Sequence, residues 1–241
     1  MPVIRVGDID MYYEVHGSGD PLVLIGGLAG DISETGWLID RCARTHRVLA
    51  FDNRGAGRTD KPDAPYSIPM MASDTDALME AVGMSRATVL GVSMGGRIAL
   101  DLALEHPGRV SRLILVSTMA TARPASSASS SRLGVMGFLS GHFFRGKYPQ
   151  PRYAFLRQRQ ASRSYGCVDR LGEIHVPATI LHGRRDNIAP LREAERMHLG
   201  ISGSTMLTFN GGHLFLFMRE RNAFLGAVAS ALNAPGPLPA S

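Results

Sequence analysis

Apolar residues in this chain gather into short unbroken runs separated by longer, helix-length stretches. Val3 to Val6 and Met11 to Val15 read as the two strands of an opening hairpin, and Pro21 to Ile25 reads as a third strand ending at Gly26-Gly27. Arg47 to Phe51, Ala87 to Leu90, Arg112 to Val116, Thr179 to Leu181 and Thr205 to Phe209 repeat the pattern, which makes eight candidate strands. Runs that are apolar at every position, rather than at alternate ones, predict a sheet covered on both faces.

Between the runs lie five helix-length segments, Glu34 to Ala43, Ile68 to Val82, Gly95 to Glu105, Pro190 to Leu199 and Leu216 to Leu232. Each ends near Gly, Pro or Asn, the residues that stop helices. After the hairpin, strand and helix alternate. Right-handed crossovers then give a mostly parallel eight-stranded α/β sheet with helices on both sides and its binding edge beyond the carboxyl ends of the strands. The alternation breaks between Thr118 and His175, so residues 118–175 are expected to form an inserted cap, partly helical, above a core of residues 1–117 and 176–233. The Ser-rich stretch from 125 to 131 reads as a connector, and residues 234–241, rich in Pro and Ala, as a flexible tail.

Composition narrows the class. With 241 residues, 44% of them apolar, the chain can bury one sizeable core. No apolar stretch is long enough to span a bilayer, and the start lacks a basic segment followed by an apolar one, so the expected address is cytoplasmic. Cys42 and Cys167 stand far apart, without metal-ligand spacing, and read as free thiols; no metal site is expected. The net charge of +5 comes with no nucleic-acid-binding motif, so no nucleic-acid partner is expected. It is unevenly spread: residues 118–175 hold nine Arg and Lys against two acids. A basic surface beside a site mouth attracts anions.

The chemistry centres on Gly91-Val92-Ser93-Met94-Gly95-Gly96, which follows an apolar strand and opens a stretch free of helix breakers. A strand turning abruptly into a helix forces its junction residue into a strained conformation, and the small residues around it let the chains pass closely. Ser93 would sit at that apex. A serine hydroxyl is a weak nucleophile unless a histidine takes its proton and a carboxylate orients that histidine. Asp186 follows the strand Thr179 to Leu181, and His213 follows the strand Thr205 to Phe209, so all three residues belong to loops on one rim. Their order, Ser93, Asp186, His213, is that of the nucleophile-elbow arrangement. Activity is expected to fall when acid protonates His213, because only neutral imidazole accepts the serine proton.

On these residues the chain resembles the α/β-hydrolase fold family from about Val3 to Leu232. Asp52-Asn-Arg-Gly-Ala-Gly-Arg-Thr59, Gly91 to Gly96 and His106-Pro-Gly-Arg-Val110 are similar to segments of its small bacterial carboxylesterases and enol-lactonases. The resemblance implies a serine carboxylesterase without a cofactor, acting on small esters or lactones. It also implies an oxyanion hole made by the amides of Met94 and Leu28. Where the family usually has His-Gly, this chain has Gly26-Gly27, so a shifted loop is expected there. Lactonases, carbon-carbon bond hydrolases and perhydrolases share the triad, and some members of the fold sense ligands instead of turning them over. Gly27, Phe138, Leu139, Phe143 and Phe144 are candidate pocket residues. The expected substrate is anionic or carried on an acidic protein. His182 is expected to be structural. The Asp52 to Thr59 segment lacks the ending of a nucleotide-binding loop and is expected to be a structural turn.

Overall fold

The computed structural model describes residues 2–123, 147–148, 150–215 and 220–234. Strands β1 (Val3–Val6) and β2 (Ile9–His16) pair antiparallel, as the hairpin pattern predicts. β2 then pairs antiparallel with β4 (His46–Phe51). From there β3 (Asp20–Ile25), β5 (Ala87–Val92), β6 (Val110–Val116), β7 (Ala178–Gly183) and β8 (Thr205–Phe209) run parallel to β4. The sheet order is β1-β2-β4-β3-β5-β6-β7-β8, eight strands in all.

Helices α1 (Ile32–Cys42) and α6 (Arg221–Asn233) cover one face, while α2 (Ile68–Ala81), α3 (Met94–Glu105) and α5 (Leu191–Gly200) cover the other. Both faces being covered explains the unbroken apolar runs. In β3, Val23 and Ile25 enter the core beneath α2 and α3, and Leu22 and Leu24 enter the core beneath α1 and α6. β4 does the same with Leu49 and Phe51 against Val48 and Ala50. A strand with period-two side chains has no face left for polar residues once helices lie on both sides.

Local sequence sets where the helices begin. Asp31 caps α1 by accepting from the Ser33 amide at 2.8 Å, and Ser67 caps α2 by accepting from the Met70 amide at 3.1 Å. Helix α3 starts directly after Ser93, whose side chain makes no capping bond. Between β6 and β7 the described residues form helix α4 (Arg152–Ser164) and a 3-10 segment at Val168–Glu173. Of the expected elements, the last helix starts at Arg221 rather than Leu216; residues 216–219, like the Ser-rich stretch and residues 235–241, lie outside the described residues. Among the described residues no helix is long and apolar enough to cross a membrane.

Candidate active site

Ser93 occupies the turn from β5 to α3 with φ 55° and ψ −114°, a left-handed conformation that L side chains rarely adopt. Two glycines make that turn passable. A Cβ on Gly91 would fall 2.4 Å from the Gly95 carbonyl oxygen, and one on Gly95 would fall 2.2 Å from the Ile25 carbonyl oxygen. The Ser93 amide donates to the Val116 carbonyl at 2.8 Å, and the Thr118 hydroxyl donates to the Ser93 carbonyl at 2.7 Å, so β6 and the residues after it hold the bend.

The hydroxyl of Ser93 donates to Nε2 of His213 at 2.9 Å, and Nδ1 of His213 donates to Oδ2 of Asp186 at 2.7 Å. The direction follows from chemistry: an ionised carboxylate only accepts, so Nδ1 carries the proton and Nε2 presents its lone pair to the serine. Asp186 is fully buried, and His213 is 13% exposed at its side chain. The second oxygen of Asp186 accepts from the amides of Ile188 and Ala189 at 2.8 and 2.7 Å, which fixes the carboxylate in place.

A cavity of about 190 Å³ opens at Ser93 and His213, and Leu28 and Met94 line it. As the first residue of α3, Met94 has an amide with no partner inside its own helix. Leu28 lies in the loop from β3 to α1. Three side chains pin that loop: Asn53 Nδ2 donates to the Gly26 carbonyl at 3.0 Å, the Ala29 amide donates to Gln158 Oε1 at 3.0 Å, and the Ile32 amide donates to Asp52 Oδ1 at 2.8 Å. Ala29 itself is held at φ 64°.

A model of the alpha/beta hydrolase fold family matches residues 20–138. The chain has the α/β-hydrolase fold. It is similar to a hydrolase from Pseudomonas aeruginosa PA01 at a TM-score of 0.86 and 25% identity, covering 97% of this chain and 98% of that one. An esterase from Exiguobacterium antarcticum superposes at 0.83 with 27% identity, over 96% of this chain and 99% of the esterase. Among curated relatives, the "Putative carbamate hydrolase RutD" of Azorhizobium caulinodans is 38% identical over 122 residues, which is 51% of this chain; the chain spans only 46% of that relative.

Within this α/β-hydrolase framework the remaining candidate residues find their places. His182 is completely buried and its Nε2 donates to the Ala189 carbonyl at 2.6 Å; a carbonyl only accepts, so the ring is the Nε2-protonated neutral tautomer. Burial pushes its pKa down from 6.5. It thereby holds Ala189, whose amide holds Asp186. Gly27, expected in the pocket wall, is not among the residues that line the cavity; a Cβ there would make only ordinary contact, 3.5 Å from Ser93 Cβ and 3.4 Å from the Val92 carbonyl oxygen. Phe138, Leu139, Phe143 and Phe144 lie outside the described residues.

The Asp52 to Thr59 turn is structural. Asp52 accepts from the Ile32 and Arg58 amides, both at 2.8 Å, and Arg54 grips both oxygens of Asp74 at 2.8 and 2.7 Å. No group of three His, Cys, Asp or Glu able to hold a metal is present among the described residues.

Two features escaped the sequence reading. Gln158, fully buried on α4, was hidden because a glutamine on a polar helix face carries no motif. Arg97, Arg123, Arg159 and Arg163 all line the cavity at Ser93, whereas sequence supplied only a surplus of charge in the insertion. The spacing of Arg159, Ser162 and Arg163 along one helix face was the available signal.

Proposed function

We propose that the protein is a serine hydrolase that cleaves carboxylic esters through an acyl-enzyme. The observation that carries this reading is the continuous hydrogen-bonded relay from Ser93 through His213 to buried Asp186 at the floor of a cavity. In the first half-reaction, Ser93 Oγ forms a bond to the ester carbonyl carbon while its proton passes to His213 Nε2. Asp186 stabilises the resulting imidazolium, and the Met94 and Leu28 amides receive the negative oxygen. The carbon-oxygen bond to the alcohol then breaks, with His213 returning its proton to the leaving alkoxide. Water repeats the sequence in the second half-reaction, releasing the acid and free Ser93. Two fixed donors aimed at the oxyanion are worth roughly 3 to 4 kcal/mol each in such sites.

The likeness to the Exiguobacterium esterase supports an ester as the cleaved bond. A lactone offers the same carbonyl with the alcohol tethered, and a carbamate offers it beside nitrogen. The partial match to the Azorhizobium protein brings the carbamate into the test.

The deciding experiment is steady-state hydrolysis of a chain-length series of p-nitrophenyl esters, simple lactones and an alkyl carbamate, run beside Ser93→Ala. Steady turnover is expected on at least one ester, lowered about 10⁴-fold or more in the variant. Turnover equal in both proteins would overturn the reading and leave ligand sensing as the better account of the fold.

A further inference from the structure

The cavity at Ser93 is lined by four arginines and no acidic residue. They reach it from three directions. Arg97 stands one turn along α3 from Ser93, Arg123 lies on the segment that follows β6, and Arg159 and Arg163 flank Ser162 on one face of α4. The Arg123 amide donates to the Arg163 carbonyl at 2.8 Å, which ties the second group to the third. Apolar residues Leu28, Met119 and Ile188 complete the wall.

Arg97 is 4% exposed, and its two terminal nitrogens donate to the carbonyls of Tyr165 at 2.6 Å and Thr121 at 2.9 Å. Burial pushes its pKa down to about 10, which leaves it charged at neutral pH. Burial likewise lowers that of Arg123. All 21 Asp and Glu of the sequence lie within the described residues, and none is within ion-pair distance of Arg97, Arg123 or Arg159 there. Two carboxylates do face the cluster from behind. Asp186 is committed to His213 and to the Ile188 and Ala189 amides. Glu193, on α5, accepts from the Thr121 hydroxyl at 2.5 Å and pairs with Arg196 at 3.4 Å and Arg192 at 3.8 Å.

Positive charge gathered in a partly desolvated pocket is unfavourable unless an anion completes it. A guanidinium offers paired N–H donors that match the two oxygens of a carboxylate. The volume, about 190 Å³, is below the several hundred Å³ typical of drug-sized sites and suits a small molecule. We infer that the substrate is a short-chain ester or lactone bearing a free carboxylate, which Arg123 and Arg159 bind, with Arg163 beside them, while Ser93 attacks the ester carbonyl. This rests on the serine hydrolase reading above and adds the substrate class to it.

The test compares pairs matched in length: ethyl hydrogen succinate against ethyl butyrate, ethyl hydrogen glutarate against ethyl pentanoate, and, with the acid on the alcohol side, acetoxyacetate against ethyl acetate. The carboxylated member of at least one pair is expected to have a kcat/KM about tenfold or more above its neutral partner, the value of one charge-assisted contact. The preference should narrow between about 20 mM and about 0.5 M salt as the guanidinium field is screened. Arg159→Gln and Arg123→Gln should lower the ratio of acid to neutral ester through KM, and Arg159→Lys should keep part of it. Equal kcat/KM within every pair, or a preference untouched by both Gln variants, overturns the inference. If no ester is turned over and a fluorophosphonate fails to label Ser93, the hydrolase reading falls by itself. Calorimetric titration with succinate then decides the arginine cluster: binding that Arg159→Gln weakens supports it, and no binding to the unaltered protein overturns it.

Discussion

His182 stands near the carboxyl end of β7 and His213 in the loop after β8, at the same sheet edge, yet their surroundings give them opposite duties. His213 keeps one ring nitrogen on Asp186 and turns the other to Ser93. His182 is completely buried, with Oδ2 of Asp186 3.7 Å from its Nε2 and with Nδ1 lacking a hydrogen-bond partner among the described residues, so burial disfavours its charged form. Its folded pKa lies below 6.5, its ordinary value, because burial penalises the imidazolium. The unfolded chain therefore binds the proton first. Stability linked to His182 is complete above about pH 6.5 and is lost as pH falls toward the folded value. Urea unfolding at about pH 7.5 and about pH 5.5 should show a smaller acid loss in His182→Gln, which keeps a donor for Ala189 without a titrating ring. Identical losses in the two proteins would remove His182 from the acid response. Ser93 and His213 were legible from sequence because their types and chain order are tied to one chemistry. Gln158 was not, since its importance comes wholly from what it touches.

At the scale of elements, α4 acts as a clamp on the carboxyl edge of the sheet beside Ser93. Gln158 accepts from the Ala29 amide and donates to the Arg54 carbonyl at 2.7 Å, while Gln150 donates to Gln158 at 2.9 Å and to the Gly55 carbonyl at 2.7 Å. The helix thus joins the loop carrying Leu28 to the turn after β4. Because Ala29 is held at φ 64°, the direction of the preceding amide depends on that clamp. Gln158→Ala is expected to lower kcat about 10-fold to 100-fold with little change in KM, a fraction of the value of a lost oxyanion donor. Affinity for an alkyl boronic acid, which mimics the tetrahedral intermediate, should fall in parallel. Unchanged boronate affinity in a folded variant would reduce Gln158 to a packing residue. The strands were readable from sequence because burial on both faces writes itself as continuous apolar runs. The contacts of α4 were not, because they join residues up to 129 positions apart, as Ala29 and Gln158 are.

The molecule as a whole is two cores divided by one sheet, and the triad stands where both meet its carboxyl edge. On the α1 and α6 side, Phe209 stacks on Phe215 at a centroid distance of 4.4 Å, and Phe224 meets Phe215 edge-on at 5.8 Å. Phe215 follows His213 by two residues, so this aromatic cluster anchors the histidine loop to α6. Phe224, fully buried, should cost about 3 to 5 kcal/mol of unfolding free energy when replaced by Ala, lowering Tm by roughly 10 °C. A loss below about 1 kcal/mol would show that α6 is held by other contacts. The sequence by itself determined the parallel sheet, the elbow at Ser93 and the order of its partners, because apolar runs, tight glycines and chain order are local or sequential properties. Only the tertiary structure decided which basic residues line the cavity at the serine and which helix holds the loop after β3. Those relations depend on where the insertion between β6 and β7 folds back onto the sheet, and the charge count of the insertion is the same wherever its arginines point.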